Sequence, residues 1–242
     1  MIRIFNEGIP AEEAERALLS SPGVPALFRG YAKSWRAFER WNWDFLREKL
    51  GQDELVVGDK IGATKRGKKV RLADFVDWIL GGADPAEEPR WYTLQYSPFA
   101  DHPELLEDFA FPEFCRTLLD FRASAQKNWY LRKFGWIFIG PADTETLPHA
   151  DLFSTHAWLA QLIGRKRVSL HGPVGMKAAM REDAELEPGD VLLIPAGHVH
   201  SAQSLEPSVT LSFNFVNHTN QLAFLDAIAR DPEAWRLRRE EP

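Results

Sequence analysis

The stretch Glu187–Gln203, EPGDVLLIPAGHVHSAQ, decides how this chain is read. Pro188-Gly189-Asp190 signals a turn, because proline fixes φ and glycine supplies a positive φ. The continuous apolar run Val191–Ile194 follows, as a strand covered on both faces would have. Pro195-Ala196-Gly197 then forces a tight backbone, so His200 is aimed by a turn rather than carried on a flexible loop.

Upstream, Gly140–Leu170 (GPADTETLPHADLFSTHAWLAQLIGRKRVSL) places His149 and Asp151 two apart at a strand end. Period-two geometry points an imidazole and a carboxylate the same way. Alone, such a pair is as readily a hydrogen-bonded surface or core pair as a metal site. Together with His200 it offers two imidazoles and one carboxylate, a set that leaves about three positions free on an octahedral metal. That arrangement suits non-haem Fe(II) working with O2. Zinc more often takes a closed tetrahedron, or three protein ligands and a water.

The rest of the chain supplies the setting. It has 242 residues, 45% of them hydrophobic, with nine tryptophans and sixteen phenylalanines, enough for one sizeable aromatic core. Lys plus Arg is 29 against 35 for Asp plus Glu, a net charge of −6, so no global basic field favours nucleic acid. A single cysteine, Cys115, excludes an intramolecular disulfide and fits a reducing, cytoplasmic setting. The start, MIRIFNEGIPAEEAERALL, lacks the pattern of a signal peptide, and no run approaches the roughly 20 apolar residues of a membrane span.

Helices are expected near Pro10–Ser20, before Gly51, and over Leu72–Leu80. Short strands are expected at Val24–Phe28, Glu54–Val57 and Trp91–Tyr96, the last with Tyr92, Leu94 and Tyr96 on one face. From residue 128 short β runs alternate with turns: Trp129–Ile139, Ala157–Leu162, Arg167–Leu170, Val191–Ile194 and Val209–Val216. That texture predicts an antiparallel sandwich or barrel. The expected division is one domain, with an N-terminal α/β extension (1–125), a β core (126–217) and a C-terminal helix (218–242). In that helix Leu222, Leu225 and Trp235 form a stripe that could pair two copies of the chain.

These motifs carry a family resemblance. Gly189, five residues, then Pro195-x-Gly197-x-x-His200 resembles the second motif of cupins, and the spacing picks His200 over His198, which is left a packing or supporting residue. The first cupin motif would read His-x-His with a later Glu; this chain has His149-x-Asp151 instead, and so is similar to the JmjC-type, cupin-like branch of small hydroxylases that includes the hypoxia-pathway asparaginyl hydroxylase. Thr146-x-x-His149, Ala157-Trp158, Gly164-x-Lys166-Arg167 and Thr210-x-Ser212-x-Asn214 extend the likeness, as do Pro25, Gly30, Trp35 and Trp41.

The resemblance implies a mainly β, double-stranded β-helix (jelly-roll) fold. It also implies an Fe(II)- and 2-oxoglutarate-dependent dioxygenase that hydroxylates an unactivated C–H with release of succinate and CO2. By the same resemblance His149, Asp151 and His200 hold the metal, while Lys166 and Thr146 bind the far carboxylate of 2-oxoglutarate. Ser212 and Asn214 are further candidates for the acid, and so is a tyrosine from an earlier strand: Tyr92 or Tyr96, with Thr93 as the alternative. Lys166 stands between Arg165 and Arg167, which on its own reads as a solvated basic run; strand alternation puts Lys166 on the opposite face from its neighbours.

Trp158, His156, Tyr96 and Arg132 are candidates for the substrate side, with core packing an equal reading for Trp158. His102, His171 and His218 have no partner pattern. The basic stretch Lys60–Arg71 holds six Lys and Arg residues and reads as a solvated loop, or as a docking segment for an acidic substrate. No aromatics interleave with its charges, which disfavours nucleic acid. The expected substrate is a protein side chain, a peptide or a small molecule. Two other readings remain: a metal-binding cupin without oxygenase activity, and a hydroxylase of tRNA bases.

Overall fold

The computed structural model describes residues 1–58, 67–81, 91–93, 95–119, 130–175 and 181–231. Its frame is two sheets laid face to face, antiparallel except for one edge pair. The larger runs β1 (Arg3–Phe5), β2 (Ala26–Phe28), β11 (Val191–Ile194), β8 (His156–Ile163), β13 (Ser208–Phe215), β6 (Gly135–Gly140). The smaller runs β10 (Glu182–Leu186), β9 (Lys166–Pro173), β12 (His198–Ser204), β7 (Glu145–His149). From β6 to β13 the chain repeatedly crosses between the sheets, the winding of a jelly roll. β1 pairs in parallel with β2, and β2 pairs with β11, so the N-terminal segment extends the larger sheet instead of standing apart.

Alternation along the central strands sorts residues onto two faces. Trp158, Ala160, Leu162, Leu211, Phe213 and Phe215 point outward into a core shared with Trp35, Trp41, Phe99 and Phe109. Ala157, Leu159, Leu192 and Ile194 point inward and meet Val168, Leu170, Ala184 and Leu186 of the smaller sheet. β8 and β13 are thus buried on both faces, and Trp158 stacks on Phe213 with ring centroids 5.3 Å apart. Burying one such aromatic side chain contributes about 1.5–3 kcal/mol.

A third, small sheet of β4 (Gly67–Arg71), β3 (Glu54–Gly58) and β5 (Tyr92–Thr93) lies in the N-terminal part. There the helices α1 (Ala11–Ala14, continued by a wider turn Glu15–Leu19), α2 (Arg36–Arg40), α3 (Trp43–Lys49) and α4 (Leu72–Leu80) pack against the aromatic face. Asn42 caps α3 by accepting from the Phe45 amide, and the apolar side of α4 buries Leu72, Phe75, Val76 and Ile79. No helix among the described residues is long and apolar enough to cross a membrane.

Several expectations are corrected. Residues 130–134 are helical, and the strand begins only at Gly135; Trp129 lies outside the described residues. Tyr130, Leu131 and Phe134 are all buried at helical spacing, which outweighs their β propensity. The strand at Tyr92 stops after Thr93, because Gln95 adopts a left-handed φ of 53° that breaks the alternation; Leu94 lies outside the described residues. Of the basic stretch, residues 60–66 lie outside the described residues, and Gly67–Arg71 is an edge strand rather than a loop. α5 (Gln221–Arg230) docks through Phe224 and Ile228 and leaves Leu222 and Leu225 exposed, while Trp235 lies outside the described residues.

Candidate metal centre

β7 and β12 are ladder neighbours, and His149 is paired directly with His200. Residues facing each other across a ladder point to the same side of the sheet. The two rings lie 4.4 Å apart between centroids. Asp151 follows β7 in extended backbone at the head of the short turn Leu152–Ser154. Among the described residues, ligand atoms of His149, Asp151 and His200 all lie within 4.8 Å of one another.

The backbone fixes which nitrogen of each ring donates to it. His149 Nδ1 lies 2.9 Å from the Leu147 carbonyl, and His200 Nδ1 lies 3.1 Å from the His198 carbonyl. A carbonyl only accepts, so each Nδ1 carries a proton, which leaves Nε2 as the ring nitrogen that can face a metal. Burial holds the His200 imidazolium below its ordinary range; the Asp151 charge opposes that shift and His149 adds to it. Two imidazoles with Nε2 turned from the backbone and one carboxylate are the donor set that a divalent first-row metal takes, and the set fits Fe(II).

Beyond the histidines the ladder defines rows that run into the barrel. Thr146, Ala202 and Val168 form the next row, and Ser204, Lys166 and Leu186 the one after. Lys166 is 2% exposed, and among the described residues no acidic group pairs with it. Its ammonium donates to the Tyr92 hydroxyl at 2.9 Å and lies 5.8 Å from the centroid of the Phe138 ring. Burial alone pulls the Lys166 ammonium down to about 7, and pushes the Tyr92 phenol well above its ordinary value. Tyr92 therefore stays protonated; its oxygen accepts from Lys166 and its own proton is left for another acceptor.

Tyr92 stacks on Phe138, with centroids 6.0 Å apart, and lies over Gly140, where any Cβ would collide with the Tyr92 ring. Thr93 is occupied elsewhere: its hydroxyl donates to the Ile137 carbonyl and accepts from the Ile139 amide. Of the three candidates on that segment, then, only Tyr92 reaches Lys166. Phe138 as the wall beside Lys166 was missed by sequence reasoning, although its alternation with Ile137 and Ile139 marks it as inward.

The remaining candidates are spread out. Ser212 and Asn214 alternate with Thr210 on the inner face of β13. The Asn214 amide donates to Thr155 Oγ1 at 2.7 Å, and so braces the turn after Asp151. Trp158 faces the outer aromatic core, not the metal ligands. His156 lies on that same outward face, buried between the Ala196 amide and Thr219 Oγ1; burial pulls its imidazole down to about 3, so it is neutral. Tyr96 donates to Asp53 in the N-terminal part, and Arg132 forms an exposed ion pair with Asp101. None of these four substrate-side candidates faces the ligands. His198 donates from Nε2 to the Pro22 carbonyl and takes no part in the cluster.

A model of the cupin-like domain matches residues 11–177, well over half of the chain. The chain belongs to the cupin-like domain family. The match includes His149, Asp151 and Lys166 and stops before His200, whose place the geometry above supplies. Among curated proteins this cupin-like chain is 28% identical to lysine-specific demethylase 8 of Danio rerio, over 84% of its own length and 56% of the relative's. It is 28% identical to the bifunctional arginine demethylase and lysyl-hydroxylase psr-1 of Caenorhabditis briggsae, over 71% and 41%. It is 23% identical to the 2-oxoglutarate and iron-dependent oxygenase JMJD4 of Mus musculus, over 89% and 62%. The family is thus the JmjC-type, cupin-like one. The chain spans only part of these relatives, from 41% to 62% of their lengths.

Proposed function

We propose that this protein is an Fe(II)- and 2-oxoglutarate-dependent dioxygenase that hydroxylates an unactivated C–H of a protein side chain. The observation that carries the reading is Lys166: a buried ammonium without an acidic partner among the described residues, in the same inter-sheet space as a His/Asp/His cluster. An uncompensated buried cation costs several kcal/mol, a cost that an incoming carboxylate would offset. His200 and Ser204, the ladder partner of Lys166, are four residues apart on β12, about 13 Å of strand. A short dicarboxylate and the lysine side chain together can bridge that span.

Each residue has a physical task in this reading. His149, Asp151 and His200 would hold Fe(II) through two Nε2 atoms and a carboxylate oxygen, leaving about three positions open. Lys166, with the Tyr92 hydroxyl and Thr146 beside it, would fix the far carboxylate of 2-oxoglutarate. Phe138, Leu159 and Val168 would keep that end dry, which strengthens the charge pairing. When bound, the iron and 2-oxoglutarate supply O2 activation: one oxygen atom goes to the substrate carbon, the other to succinate, and CO2 is released. The names of the relatives support a lysine or arginine side chain as the substrate class. Cytoplasmic location is part of the same proposal.

Succinate release from metal-loaded protein and 2-oxoglutarate tests the reaction class, and a gain of one oxygen in lysine- and arginine-rich peptides tests the substrate. We expect release that disappears in His149→Ala and falls steeply in Lys166→Met. Absence of release under all conditions, or release indifferent to those substitutions, would remove the oxygenase reading.

A further inference from the structure

The metal-ligand cluster draws on two separate turns, one after β7 carrying Asp151 and one between β11 and β12 leading to His200. A third segment, residues 217–220 between β13 and α5, is hydrogen-bonded directly to the first turn and, through His156, to the second. Asn220 Nδ2 donates to the Ser154 carbonyl at 2.8 Å, while Asn220 Oδ1 accepts from the Asn217 amide at 2.8 Å. Asn217 Oδ1 accepts from both the amide and the hydroxyl of Thr219, at 2.9 and 2.7 Å. The Thr219 hydroxyl has thereby given its proton away, so at 2.9 Å it accepts from His156 Nε2. His156 Nδ1 then accepts from the Ala196 amide at 2.8 Å, inside the Pro195-Ala196-Gly197 turn. These bonds hold His156 in a single tautomer, while the buried Asn217 Nδ2 has no partner among the described residues.

The series joins places that need holding. Phe153 and Ser154 have left-handed φ values of 55° and 53°, and Gly197 has 77°. Non-glycine residues in that region cost about 1–3 kcal/mol each and persist only where their surroundings over-determine them. The Asn220 bond to Ser154 and the Asn214–Thr155–Leu152 bonds fix the first turn. The His156 bond to Ala196 fixes the second. His156, Asn217 and Asn220 are all buried. A surface turn that needed only a cap would not bury three polar side chains against two other loops.

We propose that His156, Thr219, Asn217 and Asn220 form a positioning relay, which sets the separation of Asp151 from His200 and so the fit of the site to a divalent metal. None of the four touches the metal ligands' donor atoms; they act through the backbone of the turns. The proposal rests on the reading of His149, Asp151 and His200 as a metal centre.

The test is titration of metal-free protein with Mn(II), together with the visible spectrum of the Co(II)-loaded form. Thr219→Val removes the hydroxyl in nearly the same shape and Thr219→Ser restores it; Asn220→Asp keeps the acceptor and removes the donor to Ser154. We expect Thr219→Val and Asn220→Asp to weaken Mn(II) binding about 10- to 100-fold and to shift the Co(II) bands. Thr219→Ser should match the wild type. Melting temperatures of the metal-free proteins separate this from simple loss of fold, since the relay predicts weaker binding even where metal-free melting is unchanged. Wild-type affinity and an unaltered Co(II) spectrum in both Thr219→Val and Asn220→Asp would overturn the relay alone. Failure of the wild type to bind Mn(II) or Co(II) would overturn the metal centre and the relay with it.

Discussion

Lys166 donates to the Tyr92 hydroxyl from 74 residues away in sequence, and the two are sealed together in the space between the sheets. A phenol oxygen is a partial partner for an ammonium: it satisfies one of three donors and brings no countercharge. The pair therefore stores a stability cost that a carboxylate ligand would relieve. Lys166→Met keeps the volume and removes the charge. The metal-free, ligand-free variant should be more stable than the wild type at pH 7, by about 1–4 kcal/mol in denaturant titration. The same change should weaken 2-oxoglutarate binding roughly 100-fold or more, the cost of losing the partner of a buried charge. A variant that is less stable and still binds 2-oxoglutarate normally would show that Lys166 faces no ligand.

The pH dependence follows from the same group. Burial pulls the folded Lys166 down to about 7, against 10.5 ordinarily, so from about pH 7 to about 10 the unfolded chain binds more protons than the folded one. The stability of the ligand-free protein relative to Lys166→Met should then rise with pH across that window, with a slope of at most about 1.4 kcal/mol per pH unit, and should level off below it. Binding of 2-oxoglutarate runs the other way. It needs the ammonium, so affinity should fall as pH rises above about 7. Calorimetric titration of Mn(II)-loaded protein from pH 6.5 to pH 8.5 checks this, and a flat affinity would contradict it.

What could be read from sequence was what repeats a local rule. The apolar run Val191–Ile194 and the helix Leu72–Leu80 carry their own period and end signals, and both are found where those signals put them. His149, Asp151 and His200 could be named as a group because strand alternation, a Pro/Gly turn and the motif spacing of the resemblance point to them, and their ligand atoms lie within 4.8 Å of one another. Which face of a strand turns inward is not local. Trp158 could only be assigned to the outer core once Trp35, Phe109 and Phe213 were packed over it. The His156–Thr219–Asn217–Asn220 series was hidden for the same reason. It is built from ordinary residue types whose contacts span 63 and 66 residues, and no spacing announces it.

Tyr92→Phe separates the hydroxyl from the ring. The stack on Phe138 remains, so the wall beside Lys166 is kept. Loss of the acceptor leaves the ammonium with poorer hydrogen bonding, a cost of about 1–3 kcal/mol in the ligand-free state. It also removes a donor to the bound carboxylate, so KM for 2-oxoglutarate should rise about 10-fold with little change in kcat. Combined with Lys166→Met, the two effects should fall well short of additive, because both act on one carboxylate. Additive losses would place Tyr92 outside the co-substrate site.

Asp151 is the one charged member of the ligand cluster, and it is only half-buried, so its removal is a mild change to the fold. Asp151→Ala should leave the metal-free melting temperature close to that of the wild type. In the wild type, Mn(II) at about 100 times its dissociation constant should add about 2.7 kcal/mol of stability, read as a rise in melting temperature that a chelator reverses. Asp151→Ala should lose most of that rise and all succinate release. Asp151→Asn, which keeps an oxygen donor but no charge, should fall between the two. If Asp151→Ala kept the full Mn(II)-dependent rise, the metal would have to sit elsewhere, and the pairing of His149 with His200 across the ladder would be a packing contact only.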